Sequence, residues 1–170
     1  MNKYPEISNG LRGNMLHLAI VQQLVFKNSG GRGEAVLTTV DKKGRPHATW
    51  MGTVISHSLC RISTLASVDS RKIINLASNP CVEWMFFDLP KKHIVYLRGK
   101  ASVVDDPREV MELIDGMASL SRSYFLEYQS EKATIRVIET EVDEVEYCHP
   151  EGNIYSLFDL PNLRKHLGIS

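Results

Sequence analysis

CRISTLASVDSRKIINLASNPCVEWMFF, from Cys60 to Phe87, sets strand, helix and strand side by side in one short run. A strand pattern ends at Ser63-Thr64, a loop follows, and a helix of about two turns opens at Ser70-Arg71-Lys72 and runs to Ser78. Ile73, Ile74, Leu76 and Ala77 supply its apolar side, and Asn79-Pro80 closes it. Cys81 to Phe87 then reads as a strand that is apolar on both faces except at Glu83. Such a strand is expected to line a core with one face and to have the other covered.

Arg71 and Lys72 break a helix rule. Cations in a first turn oppose the macrodipole, a misfit of about 0.3–1 kcal/mol each at exposed sites. A bound phosphate reverses the sign, because the hydroxyl of Ser70, both cations and the free backbone N–H groups then converge on it. The other reading is an ordinary N-cap at Asp69 or Ser70, with Asp69 neutralising the two cations. The local pattern leaves both open.

Upstream, NMLHLAIVQQLVFK (about residues 14–27) suits a helix with a broad apolar face, stopped by Asn28-Ser29-Gly30-Gly31. His17 within it carries no motif and is given no role. Glu34 to Val40 is a β-branched strand, and Asp41-Lys42-Lys43-Gly44 is a hairpin connection. Arg45-Pro46 begins a long return strand, RPHATWMGTVI, in which Pro46 must lie at the start or on an edge and Gly52 suggests a bulge. After Ser56-His57-Ser58 the chain returns through Leu59 to Leu65, so three successive antiparallel strands are expected as a meander.

Downstream, His93 to Val104 alternates, with Val95, Leu97, Gly99, Ala101 and Val103 on one face. Asp106-Pro107-Arg108-Glu109 places Asp at an N-cap, Pro at N1 and Glu at N3, opening a helix that buries Val110, Leu113, Ile114 and Met117. Ser121 to Tyr128 is expected to continue as a second helical piece. Ala133 to Cys148 returns to strand character, as two strands or one bent strand. Its acidic run (Glu139, Glu141, Asp143, Glu144, Glu146) reads as a solvated edge that resists pairing with other chains. Leu160 to Gly168 has the marks of a short helix in the tail.

Antiparallel neighbours therefore predominate. The expectation is a mainly β fold with helices, a compact antiparallel barrel rather than a doubly wound parallel sheet. With no repeat, linker or low-complexity tract, residues 1–170 read as one domain: a helix over about 14–27, a barrel over about 34–148 and a tail over 149–170. Twenty basic and twenty acidic side chains cancel, which gives no reason to expect nucleic acid or an anionic membrane as a partner. MNKYPEISNG has no apolar signal region and no run approaches a membrane span, so a cytoplasmic protein is expected. Cys60, Cys81 and Cys148 are odd in number and widely spaced, and read as buried thiols in a reducing compartment. His47, His57, His93, His149 and His166 lack paired metal spacing. No G-x-S-x-G suggests hydrolysis.

Thr64, Ser70-Arg71-Lys72, the Ile73–Leu76 continuation and Asn79-Pro80 before an apolar strand resemble the FMN-binding split β-barrel family. That family includes pyridoxamine 5′-phosphate oxidase and general-stress-type flavoproteins. Asp41 to Met51 and Gly99-Lys100-Ala101 are similar to further stretches of it, so the likeness spans about residues 35–106. It implies that Thr64, Ser70, Arg71 and Lys72 contact the FMN phosphate. It further implies that the strand Thr49-Trp50-Met51-Gly52 meets the flavin ring, with Gly52 permitting close approach and Trp50 either stacking on the flavin or filling core or interface. A homodimer with FMN between the subunits is implied as well, acting as an oxidoreductase on a small molecule. The alternatives are a non-catalytic flavin or electron carrier, or the same barrel holding haem or a deazaflavin.

Two departures set the chain apart from the oxidase itself. Counting back from Thr64, its phosphate-binding lysine position is Thr53 here. Its C-terminal tryptophan–arginine substrate motif is missing, since Trp50 and Trp84 both lie in the first half. The resemblance therefore points to FMN and not to oxidation of the vitamer.

Overall fold

A computed structural model describes residues 11–28, 35–117, 122 and 134–161. The helical pieces expected over Ser121–Tyr128 and Leu160–Gly168 fall outside these residues, apart from Arg122, Leu160 and Pro161. The elements run α1 (Leu11–Lys27), β1 (Ala35–Val40), β2 (Pro46–Met51), β3 (Ile55–Ser58), β4 (Arg61–Ser67) and α2 (Arg71–Leu76). Then come β5 (Cys81–Asp88), β6 (His93–Val104), α3 (Pro107–Gly116), β7 (Ile135–His149) and β8 (Ile154–Asp159).

All strand pairs are antiparallel, in the order β2-β1-β5-β6-β7-β4-β3, with β8 also on β7. Laid flat, the ends of this seven-strand path would stand roughly 29 Å apart, at about 4.8 Å per strand. Yet β2 and β3 are joined by only Gly52-Thr53-Val54, which spans at most about 14 Å from Met51 to Ile55. The sheet must roll up, and the link closes it into a barrel. Trp84, Phe86, Leu37, Ile62, Leu97 and Val145 fill the interior with no exposed surface. The Trp84 indole N–H donates to Thr140 Oγ1 at 3.1 Å, so the buried ring leaves no polar group unpaired.

The expected meander does not form. Met51 and Val54 both enter the core, although an odd spacing puts two residues on opposite faces of a straight strand. The chain therefore bends after Met51, and the long strand divides into β2 and β3 at opposite ends of the path. Gly52 marks this break rather than a bulge within a strand.

The acidic run also departs from expectation. β7 is one bent strand in the middle of the sheet, paired with β6, β4 and β8. Its carboxylates serve arginines on neighbouring strands. Arg98 of β6 reaches Glu144 and Glu146 at 2.5 and 2.7 Å, and also Glu83 of β5 at 2.7 Å, and Arg61 of β4 reaches Glu139 at 2.5 Å. β8 adds a strand beyond those the sequence pattern marks, and it buries Ser156 and Phe158 on alternate positions.

The bend in β7 is a bulge between Arg98 and Gly99, opposite Glu144 and Val142. It lets Val142 and Val145, also oddly spaced, both reach the core. Gly99 makes the room, since a Cβ there would lie 1.9 Å from the Glu141 carbonyl oxygen.

Helix α1 lays Leu18, Val21, Leu24 and Val25 on the barrel. Helix α3 has the expected cap, Asp106 accepting from Arg108 N at 2.9 Å. It buries Leu113, Ile114 and Met117 with Leu65 and Val137 in a second, smaller core. Of the cysteines only Cys148 is buried; Cys81 is exposed and Cys60 lies between, because β5 turns Cys81 outward.

Beside α1, His17 Nδ1 lies 2.6 Å from Ser156 Oγ, and Tyr147 Oη lies 2.8 Å from His93 Nδ1. The rings of His93 and His149 are 5.3 Å apart. Burial, and then a charge on His149, hold His93 below its ordinary value of 6.5, outweighing the opposite pull of Asp88. The unfolded chain therefore binds more protons just below 6.5, and stability rises with pH in that window. The contribution is whole above 6.5 and is lost as pH falls below it. The urea midpoint is expected to drop from about pH 7.5 to about pH 5.5, and to drop less in His93→Gln. An equal drop in both proteins would remove His93 as the cause.

Candidate functional site

Ser70 sits at the N-cap of α2 in extended conformation, with its amide held by Ser67 O at 2.9 Å. Among the described residues its side chain makes no capping bond, and the buried Oγ finds no hydrogen-bond partner. A buried hydroxyl left unpaired costs about 1–3 kcal/mol, so an acceptor or donor from outside the described residues is called for. Asp69 does not serve the cations: among the described residues neither Arg71 nor Lys72 forms an ion pair. Arg71 is exposed, whereas Lys72 is half-buried and burial alone lowers its pKa. Desolvating an ammonium without a counter-charge is unfavourable. Among the described residues the triplet thus presents one hydroxyl without a partner and two cations without an anion.

The helix itself is shorter than expected, six residues from Arg71 to Leu76. Its dipole is correspondingly weak, and the side chains carry the case. Asn75 ties α2 to the barrel, its Nδ2 donating to buried Thr39 Oγ1 at 2.9 Å.

Thr64 lies in β4, fully buried, with Oγ1 2.8 Å from Thr53 Oγ1. Thr53 belongs to the barrel-closing link and immediately follows Gly52. This contact brings together the two groups of residues that the sequence singled out separately, Thr49–Gly52 and Thr64–Lys72. In sequence Thr53 stands out only as a departure from lysine, because an eleven-residue spacing from Thr64 carries no local signal for a side-chain pair.

On β2, Thr49 is half-buried and Met51 is buried against Ala35. Trp50 points to the other face and is 56% exposed, so within one chain it is not a core residue. Its only ring neighbour among the described residues is Phe87, with centroids 5.8 Å apart. A Cβ on Gly52 would meet nothing within 4 Å, so the backbone there is open to approach. Among the described residues β2 pairs with β1 alone and forms one end of the strand path.

The outer sheet face that includes Trp50 is broad. In register across six strands lie Trp50, Val36, Met85, Tyr96, Glu146 and Leu157. Met85 and Phe87 are only half-buried, so the outer face of β5 is not sealed among the described residues as fully as its sequence suggests.

Among the described residues no helix is long and apolar enough to cross a membrane, and no group of three or more His, Cys, Asp or Glu side chains is placed to hold a metal ion.

Solved structures share this architecture. A Clostridium acetobutylicum protein related to general stress protein 26 of B. subtilis superposes with a TM-score of 0.67 at 12% identity, covering 88% of this chain and 98% of its own. General Stress Protein 26 from Bacillus anthracis gives 0.62 at 19% identity, covering 84% and 98%. A protein described as an F420 reductase gives 0.56 at 19% identity, covering 72% and 93%. At such identities the likeness is one of fold, the split β-barrel. No curated protein matches the chain. The family model described as pyridoxamine 5′-phosphate oxidase matches residues 32–149, a stretch running from just before β1 to the end of β7. More than half of the sequence and the whole closed barrel thus agree on one assignment, and the chain belongs to the pyridoxamine 5′-phosphate oxidase family.

Proposed function

We propose that this protein binds FMN, with the phosphate on Ser70, Arg71, Lys72 and Thr64 and the ring along Thr49, Trp50, Met51 and Gly52. The observation that carries this reading is the buried Ser70 Oγ beside a half-buried Lys72, with no hydrogen-bond partner for the one and no counter-ion for the other among the described residues. A phosphate oxygen accepts from both and restores what burial removed. Trp50, exposed beside Phe87, offers an aromatic surface to a planar ring. The edge of β2 that no described strand pairs offers backbone donors to its polar rim.

When bound, FMN supplies the redox chemistry, and the reaction class is oxidation or reduction of a small molecule. The protein's own share is to fix the ring by anchoring the phosphate, and to place fixed N–H dipoles where negative charge gathers. The three free cysteines accord with a reducing, cytoplasmic setting.

The absorption spectrum of the purified protein tests the cofactor. Bands near about 375 and 450 nm, released with the cofactor on denaturation, are expected of FMN. A protein that is colourless and takes up no added FMN would sink the reading. The F420 reductase among the neighbours favours one second reading, a deazaflavin in the same barrel; a bound deazaflavin lacks the flavin band at about 450 nm. Haem would show a Soret band instead. Anaerobic reduction by NADH or NADPH and reoxidation by candidate acceptors, faster than with free FMN, separates an enzyme from a carrier.

The open sheet face is assigned to a second copy of the chain, with FMN between the subunits. Trp50, Tyr155 and Leu157, all more than 40% exposed, lie on it, and near-zero net charge leaves little repulsion to overcome. Light scattering is expected to give twice the 19.2 kDa chain mass, and Leu157→Glu to give the single chain with unchanged far-UV dichroism. A wild-type monomer at micromolar concentration would remove this interface.

A further inference from the structure

We propose that His149 is a proton-operated latch on the connection between β7 and β8. As the neutral imidazole it closes the turn and seats the start of β8; on taking up a proton it releases both.

The case lies in which atom of the ring is engaged. β7 ends at His149, and a single 3-10 turn, Pro150–Gly152, leads into β8 at Ile154. His149 caps that turn, its Nδ1 accepting from the Gly152 N–H at 3.0 Å. A backbone N–H only donates, so Nδ1 must offer a lone pair and the ring proton sits on Nε2. The imidazolium carries hydrogen on both nitrogens, so its Nδ1–H would face the Gly152 N–H. Proton uptake and the closed turn therefore exclude each other. A cap with an acceptor oxygen, such as asparagine, has no such dependence.

The fit of the ring to the turn is close. A Cβ on Gly152 would lie 2.9 Å from His149 Nδ1, so glycine is what lets the amide come up to the ring. Asn153 then takes left-handed backbone at φ 49°, with its amide held by Pro150 O at 3.1 Å. Beyond it β8 joins β7, Ile154 opposite His149 and Tyr155 opposite Cys148. Among the described residues β8 has no other strand partner, so the turn governs how it enters the sheet. Ser156, whose Oγ lies 2.6 Å from His17 Nδ1 of α1, and the exposed Tyr155 and Leu157 all ride on this strand.

The surroundings oppose the charge as well. The His93 ring of β6 lies 5.3 Å from that of His149, and its Nδ1 lies 2.8 Å from Tyr147 Oη. A second imidazolium at that distance repels the first. Of the carboxylates at this end, Asp88 is ion-paired with Lys27 and Glu151 with Lys92, and Lys91 adds a further cation beside His93.

Amide NMR of the full chain at pH 7.5 and pH 5.5 tests the latch, since imidazoles ordinarily change charge within about pH 5–8. Hydrogen-exchange protection, corrected for the intrinsic rate, is read from Gly152 to Ser156. In the wild type it is expected to fall roughly three- to tenfold at the lower pH, the usual worth of a cap. The Gly152 amide shift should move together with the titration of the His149 ring. His149→Asn keeps an acceptor at both pH values and should hold its protection at both. His149→Ala should lack it at both. Unchanged protection in the wild type, an equal fall in His149→Asn, or full protection of His149→Ala at pH 7.5 would overturn the proposal. So would a fall spread evenly over all strands, which is global unfolding. The wild-type titration needs no substitution, so a variant that fails to fold does not shelter the claim.

Discussion

Alanine at both Arg71 and Lys72 is expected to raise the dissociation constant for FMN by about a hundredfold or more, and to leave riboflavin nearly unaffected. Hydrogen bonds to charged groups contribute about 1.5–3 kcal/mol each, and about 1.4 kcal/mol is a factor of ten. Two such contacts therefore reach the stated loss even after discounting exposed Arg71. The apo protein should be no less stable for the change. Lys72 is desolvated with no ion pair among the described residues, so its ammonium does not stabilise the empty fold. Thermal unfolding without flavin distinguishes the cases: a residue kept for structure would lower the midpoint when removed. A double variant that melts early, or that loses both ligands equally, contradicts the assignment.

Gly99→Ala is expected to have the largest effect on folding. The new Cβ would meet Glu141 O at 1.9 Å, Glu141 C at 2.8 Å and Val142 Cα at 2.9 Å. All three are backbone atoms of the neighbouring strand, so no rotamer change relieves the clash. Either β6 and β7 part at the bulge or the bulge shifts and turns Val142 out of the core. A destabilisation of about 3 kcal/mol or more, at the upper end for overpacking, is expected. For a chain of this size that lowers the melting midpoint by roughly 10 °C. Gly52→Ala is the matched control. Its Cβ meets nothing within 4 Å, so the midpoint should hold while FMN binding weakens, because the open backbone is where the ring is placed. If Gly99→Ala melts with the wild type, the bulge is not as tight as these distances make it.

Elements whose signals are local were legible from the residues. The α3 cap at Asp106 is made between near neighbours in sequence, and the alternation of Val95, Leu97 and Ala101 survives as buried positions of β6. Elements whose state depends on a distant partner were not. The acidic run of β7 looked like an edge because the arginines that neutralise it, Arg61 and Arg98, come from other strands. IYSLFD of β8 is too short to declare itself without β7 beside it. The division of β2 from β3 follows from barrel closure, a constraint on the two ends of the whole sheet.

The candidate site divides in the same way. Ser70-Arg71-Lys72 stands out in sequence because cations oppose a helix start, a rule of first-turn electrostatics that needs no fold. That among the described residues no carboxylate answers those cations and no group pairs with buried Ser70 Oγ, and that Thr53 meets Thr64, are properties of packing. The sequence by itself determined an antiparallel β protein with a triplet suited to an anion, because both depend on residues close along the chain. Only the tertiary structure decided which strand lies beside which and which polar groups are left without partners, because each depends on what the rolled sheet brings from far away.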